Sequence, residues 1–289
     1  MNKNTLLAAA VAVTSIFSNP ANAATVVTSG AYAASASISA AGVVKASALF
    51  APAFGTALPN YDDLATLLTI NQSALLVAPV LANGFTSATE SLKTDAVSAH
   101  AYSSFPTATG IANIDNAKFS LGTSTTVGLP LTALGISASA ISSTTSAGVT
   151  GSTQFATGNS ALAGLSVTGS VLGLLTIDGS LYSNPSPNTV LFNLLGVKVV
   201  LNEQQTVQNA TSTSMFTNAI HVFLSDFLLD GRLLNGDVIV GHSQASVVGF
   251  VSPVGGVPEP ETWALMMLGF GLVGGSLRAR HRQAALLRA

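Results

Sequence analysis

Apolar and polar residues alternate along most of this chain, in runs that Gly and Pro interrupt every ten to fifteen residues. Residues 97–102 (VSAHAY) and 117–121 (AKFSL) alternate cleanly. Residues 165–168 (LSVT) lead toward a turn at Asp178-Gly179, and residues 197–202 (VKVVLN) form a strong strand pattern. Residues 214–224 (SMFTNAIHVFL) alternate over their whole length, which predicts one strand face shared by Met215, His221 and Phe223. Asn235-Gly236-Asp237 reads as a turn before the strand pattern of residues 238–243 (VIVGHS). β-Branched residues recur at the positions that a pleated, half-buried surface favours. Residues 61–82 are ambiguous. They fit a helix begun near Asn60 and ended by Pro79, or two short strands, with Asp62-Asp63 in a first helical turn or a loop. No exact internal repeat appears at a solenoid period. Many short strands between turn signals predict a mainly β chain with an antiparallel, sandwich-like body, not a parallel α/β fold.

Both ends abandon this alternation. Residues 1–4 (MNKN) carry one positive charge, and residues 5–17 (TLLAAAVAVTSIF) are uncharged and mostly apolar. Asn19-Pro20 then breaks the helix, and Ala21 and Ala23 fit the small-x-small rule for cleavage after Ala23. This is the pattern of an export signal helix, with signal peptidase and the Sec machinery as partners. At the other end Pro258 and Pro260 hold an extended peptide. An uncharged apolar stretch of 15 residues, 263–277, follows and opens with Trp263. As a transmembrane helix it spans about 22 Å, thin against a hydrocarbon core of roughly 30 Å. Arg278, Arg280 and Arg282 then favour the cytoplasmic side.

Pro258-Glu259-Pro260, Trp263-Ala264, the run 269–275 (GFGLVGG) and the three arginines together resemble the PEP-CTERM sorting signal of Gram-negative bacteria, in the subclass written PEPxxWA. The resemblance implies recognition by an exosortase, a transpeptidase-like membrane protease, after transient anchoring in the inner membrane. It also implies delivery to the outer surface or the extracellular matrix, commonly alongside exopolysaccharide and biofilm. Residues 283–289 continue past the arginines and depart from the pattern. The expected organisation is a signal peptide at 1–23, a β-rich extracellular body at 24–250, a linker at 251–257 and a sorting signal at 258–289. The sorting signal divides into an apolar helix, 263–277, and a basic tail, 278–289.

Charge sharpens this picture. Charged residues make up 8% of the chain, against a usual share of roughly 25%, so the body's surface must be built largely from Ser, Thr and Asn. Residues 24–257 hold five basic and ten acidic groups, a net of −5, which offers no basic face to nucleic acid. The absence of Cys excludes disulfide scaffolds, thiolate metal sites and Cys nucleophiles.

A second resemblance rests on ordered short elements. These are residues 94–99 (TDAVSA), 178–182 (DGSLY), 187–190 (PNTV), 200–204 (VLNEQ), 218–222 (NAIHV), 236–241 (GDVIVG) and Ala245. Their order is similar to bacterial choice-of-anchor P surface domains, which implies a secreted β-rich body over roughly residues 28–250. That family brings no catalytic residues to carry over.

Candidate chemistry is sparse. Gly241-His242-Ser243-Gln244-Ala245 imitates a nucleophile elbow, but Ala245 replaces the last Gly and no helix pattern follows. His221, Asp226, Asp230 and Asp237 raise a metal question, with a partly buried His221 as the plainer reading. The segment 226–237 lacks the oxygen ligands of an EF-hand loop. No catalytic, cofactor-binding or metal-binding residue is therefore assigned, and no cofactor is expected. The expected function is a non-catalytic surface or matrix protein. An adhesin or carbohydrate-binding module is the alternative. A secreted hydrolase and an ice-binding protein rank below, the latter because no regular Thr array is evident.

Overall fold

The computed structural model describes residues 25–40, 44–57, 60–75, 85–125, 130–173, 177–229, 232–250, 266–268 and 270. The chain divides into two units, Met1–Val251 and Ser252–Ala289. The first unit is built from strands β1 (Val26–Ala40), β2 (Val44–Phe50), β3 (Ala53–Ala57), β4 (Asp62–Leu67), β5 (Ile70–Leu75), β6 (Phe85–Thr94), β7 (Val97–Ser104) and β8 (Thr107–Thr125). It continues with β9 (Pro130–Thr150), β10 (Thr153–Ala163), β11 (Ser166–Thr168), β12 (Thr189–Leu194), β13 (Val197–Gln208), β14 (Ser212–Leu229) and β15 (Arg232–Val248). Two single-turn 3-10 helices, Ser170–Leu172 and Gly179–Tyr182, fall between β11 and β12.

Among the described residues every strand pairing is antiparallel, and the strands form two sheets. The first runs β12-β13-β14-β15-β1, with β3 and β2 sharing the far edge of β1. The second centres on β9 and β8. β10 and β11 lie along one side of β9, while β7 and β6 divide the other side of β8 and carry β4 and β5 beyond them. β14, β15 and β1 lie against β7, β8, β9 and β10, so the two sheets pack on each other, and the expected mainly β, antiparallel body is observed.

The inner faces explain the packing. One part of the core is filled by large side chains, among them Ile38, Leu92, Ile114, Leu121, Leu134, Leu201 and Leu234. Another is filled by alanines: Ala31, Ala53, Ala99, Ala101 and Ala112. Small side chains let two sheets approach below the usual separation of roughly 10 Å. Gly110 marks that approach, because a Cβ there would run into the carbonyl oxygens of Gly30 and Gln244. Between these regions β9 is joined to β14 and β15 by a buried hydroxyl cluster. Ser143 Oγ donates to Thr217 O at 3.0 Å and lies 2.6 Å from Ser243 Oγ. Thr145 Oγ1 lies 2.9 Å from Thr217 Oγ1 and 2.8 Å from Ser243 Oγ.

The structure corrects several sequence expectations. Of the two readings of residues 61–82, the structure has the pair of short strands, 62–67 and 70–75, and not the helix; residues 76–82 lie outside the described residues. Asp62-Asp63 opens β4, with His100 Nε2 2.6 Å from Asp62 Oδ1 and the Phe54 amide donating to Asp63 Oδ2. Cross-strand partners thus override any helical start. Asn235-Gly236-Asp237 lies inside β15, where Asn235 bonds to the backbone and carboxylate of Asp226 across a register shift. Alternation also fails along β14. Regular pairing skips one transverse row, Asn202, Ala219, Gly241 and Ala33. Asn202 and Gly241 take φ of 49° and 72° there. The inward set therefore changes from 215, 217 and 219 to 220, 222 and 224. Met215 faces the sandwich interior beside Gly158, whereas His221 and Phe223 face outward.

The expected N-terminal signal helix lies outside the described residues. Of the expected C-terminal transmembrane helix, residues 266–268 and 270 are helical and exposed, and the rest lies outside the described residues. Among the described residues no helix is long and apolar enough to cross a membrane.

Candidate functional site

The outer face of the first sheet reads as aligned rows. From one end they are Val207, Ser214, Ser246 and Thr28; then Gln205, Phe216, Gln244, Gly30 and Phe54; then Glu203, Asn218, His242 and Tyr32. Beyond the skipped row come Val200, His221, Ile239 and Ser35, then Lys198, Phe223, Asp237 and Ser37. The skipped row is what returns polar side chains to the outer face on both its sides.

The third row is locked by hydrogen bonds. Asn218 Nδ2 donates to Glu203 Oε2 at 2.7 Å, which leaves Asn218 Oδ1 to accept from His242 Nδ1 at 2.6 Å. His221 Nδ1 also lies 2.6 Å from Glu203 Oε2. Rings cover the network. Tyr32 stacks on His242 at 4.3 Å, Phe216 flanks it at 6.0 Å, and Phe223 lies 3.7 Å from His221. Burial pushes the His242 imidazole down to about 4, against a hydrogen bond with Gln244 and the charge of Glu203, so the ring is neutral at pH 7. Burial would raise the Glu203 carboxyl. Hydrogen bonds from His221 and Asn218, with the charges of His221 and Lys198, outweigh it and hold the carboxyl below its usual range. Among the described residues His221 Nε2 has no hydrogen-bond partner, and it lies 3.7 Å from Asp237 Oδ2.

Next to this network the first two rows enclose an open groove of about 320 Å³. Gln205, Gln244, Ser214, Ser246 and Thr28 supply amides and hydroxyls, Phe216 supplies an aromatic wall, and among the described residues no charged side chain lines it. Thr28 Oγ1 and Ser246 Oγ are 2.6 Å apart. The second sheet also turns hydroxyls outward, with Thr109 Oγ1 2.9 Å from Ser146 Oγ.

The chemistry-bearing residues singled out by sequence separate in space. Ser243 is fully buried in the intersheet hydroxyl cluster. Among the described residues no hydroxyl is hydrogen-bonded to either His221 or His242. His221 and Asp237 do come together; Asp226 is bonded to Asn235 instead, and Asp230 lies outside the described residues. Among the described residues no set of three or more His, Asp and Glu side chains is grouped to hold a metal ion. Sequence reading missed the row Glu203, Asn218, His242 and Tyr32, and the groove beside it. Their polar character is visible in the sequence, but their adjacency depends on strand register.

Residues 256–283 match a family model described as the PEP-CTERM protein-sorting motif. The chain carries a PEP-CTERM sorting motif. That motif is a recognition signal for exosortase and implies export, membrane-transient sorting and a destination at the cell surface. No curated protein sequence matches the chain. Among solved structures the P. putida toluene transporter TodX overlaps at 8% identity and a TM-score of 0.15, over 78% of this chain and 88% of that one. An overlap that low carries no argument. Pro258, Glu259, Pro260, Trp263, Ala264, Arg278, Arg280 and Arg282 lie within the PEP-CTERM match and outside the described residues; Ala21 and Ala23, the expected cleavage residues, also lie outside the described residues. Met266, Met267, Leu268 and Phe270, inside the match, present large apolar side chains to solvent.

Proposed function

We propose that this protein is an exosortase substrate of the cell surface or extracellular matrix whose sandwich body acts by binding, not by catalysis, within exopolysaccharide or biofilm. The observation that carries this reading is the sorting motif at residues 256–283 behind an N-terminal export pattern. The PEPxxWA spacing, with Trp263-Ala264 after Pro258-Glu259-Pro260, supports that subclass. The ordered elements that resemble choice-of-anchor P domains support a secreted body joined to an interchangeable anchor. The separation of Ser243 from the two outward histidines supports a non-catalytic role.

Sorting requires the Pro-Glu-Pro peptide to stand outside the bilayer, extended and unable to join a sheet, since Pro lacks the donor that pairing needs. It also requires the arginines to hold the apolar stretch in place. Fractionation of cells producing the full chain tests the reading. Wild type is expected in the surface and matrix fractions. Pro260→Ala, or deletion of residues 278–282, is expected to leave the protein in the inner membrane. Surface delivery unchanged by both variants would overturn it.

A further inference from the structure

We propose that the groove on the outer face of the first sheet is a subsite for an uncharged polysaccharide laid across the strands. This deepens the binding role proposed above and rests on it.

Four observations converge. The groove is open to solvent, so a polymer can enter it from the side. Its polar groups are the two amides and the Ser and Thr hydroxyls, each able to donate and to accept, as a sugar hydroxyl also does. Phe216 offers an aromatic face to the C–H side of a pyranose ring. Its volume of about 320 Å³ lies at the lower end of ligand sites, which run from roughly 300 Å³ upward.

The row through the groove extends its reach. Gly30, two strands from Phe216, has no side chain of its own, and a Cβ there would fall 2.5 Å from Phe54 Cδ1 and 2.9 Å from Gln244 Nε2. The missing Cβ lets the half-exposed Phe54 ring lie over β1 beside Gln244. Phe216 and Phe54 are three strand spacings apart, roughly 14 Å, a span for a short run of linked sugars. Preorganisation is built in: His242 is pinned by Asn218, stacked on Tyr32 and flanked by Phe216.

Charge sets the class. The groove lining is neutral, and the nearest charged group in the adjoining row is Glu203, whose carboxyl is held ionised. With a net of −5 over residues 24–257, the body repels uronates and sulfated chains. A neutral glucan or galactomannan suits the lining, and alginate does not.

The test is affinity electrophoresis of the full-length protein in gels containing a soluble β-glucan, a galactomannan or alginate. Retardation is expected in at least one neutral polymer and not in alginate. Ser214→Trp fills the groove from an exposed position and is expected to weaken retardation at least tenfold, as is Phe216→Ala combined with Gln244→Ala. Gln205→Ala, also exposed, guards against misfolding and is expected to weaken retardation by a smaller factor. Unretarded migration in both neutral polymers would overturn the proposal, as would retention by alginate or retention that Ser214→Trp leaves unchanged. Cell fractionation of Ser214→Trp separates the two readings. Surface delivery with unaltered polymer retention removes the groove alone, whereas wild type that never reaches the surface removes the sorting reading.

Discussion

Glu90 and His242 are buried groups whose surroundings move their titration in opposite senses. Glu90 lies on β6, on the same face as the core residue Leu92, and burial raises its carboxyl from 4.5 to about 6. The folded state therefore holds a proton that the unfolded state has released between about 4.5 and 6, and stability falls as pH rises through that window. Glu90→Gln is expected to raise stability at pH 7, by at most about 2 kcal/mol, with the gain vanishing below pH 4.5. Thermal unfolding at both pH values measures this, and an unchanged midpoint at pH 7 would contradict it. His242, pushed from 6.5 to about 4, has the opposite sign. Its contribution is complete above pH 6.5 and is lost as pH falls toward 4, because the unfolded state binds the proton first. His242→Asn is expected to flatten the pH dependence of denaturant midpoints between 6.5 and 4; an unaltered slope would refute that assignment. Neither residue announces its environment in the sequence. Glu90 reads as one more polar residue in an alternating run, and burial of His242 depends on Tyr32, some two hundred residues away in the chain.

At the level of elements, strand type was legible, because alternation over residues 97–102 and 117–121 reports which face is buried and β-branched residues mark 197–202 as strand. Alternation could not reveal the transverse row where it reverses. Only the backbone of Asn202 and Gly241 marks that row, and a Gly or Asn within a strand pattern has several readings. Gly241→Ala is expected to cost about 1–2 kcal/mol, since it combines a left-handed φ with a Cβ 3.0 Å from that of Ala219. A chemical denaturation midpoint equal to wild type would show that the row tolerates ordinary residues. The hydroxyl cluster gives a second expectation. Ser243→Ala removes one partner each from Ser143 and Thr145, which keep their bonds to Thr217, and should destabilise by about 0.5–1.5 kcal/mol. Simultaneous replacement of Ser143, Thr145 and Ser243 by Ala, Val and Ala should cost less than the sum of the three single changes. Additivity would mean that the hydroxyls act separately.

At the scale of the whole molecule, the sequence carries destination and structure carries the face. Sorting is a local signal, complete within a short contiguous segment, so residues 258–282 could be read directly, and the export pattern expected at residues 1–23 is local in the same way. The groove is assembled from β13, β14, β15 and β1, and only register brings its residues together. In the proposed account the body crosses the inner membrane, pauses with residues 263–277 in the bilayer, and is released by cutting near Pro258–Pro260. Intact-mass spectrometry of protein recovered from the cell surface tests that sequence of events most directly. A mature chain beginning at Ala24 and ending near Pro258–Pro260 is the expected result. A mature chain still ending at Ala289 would contradict exosortase processing and make the tail a retained anchor.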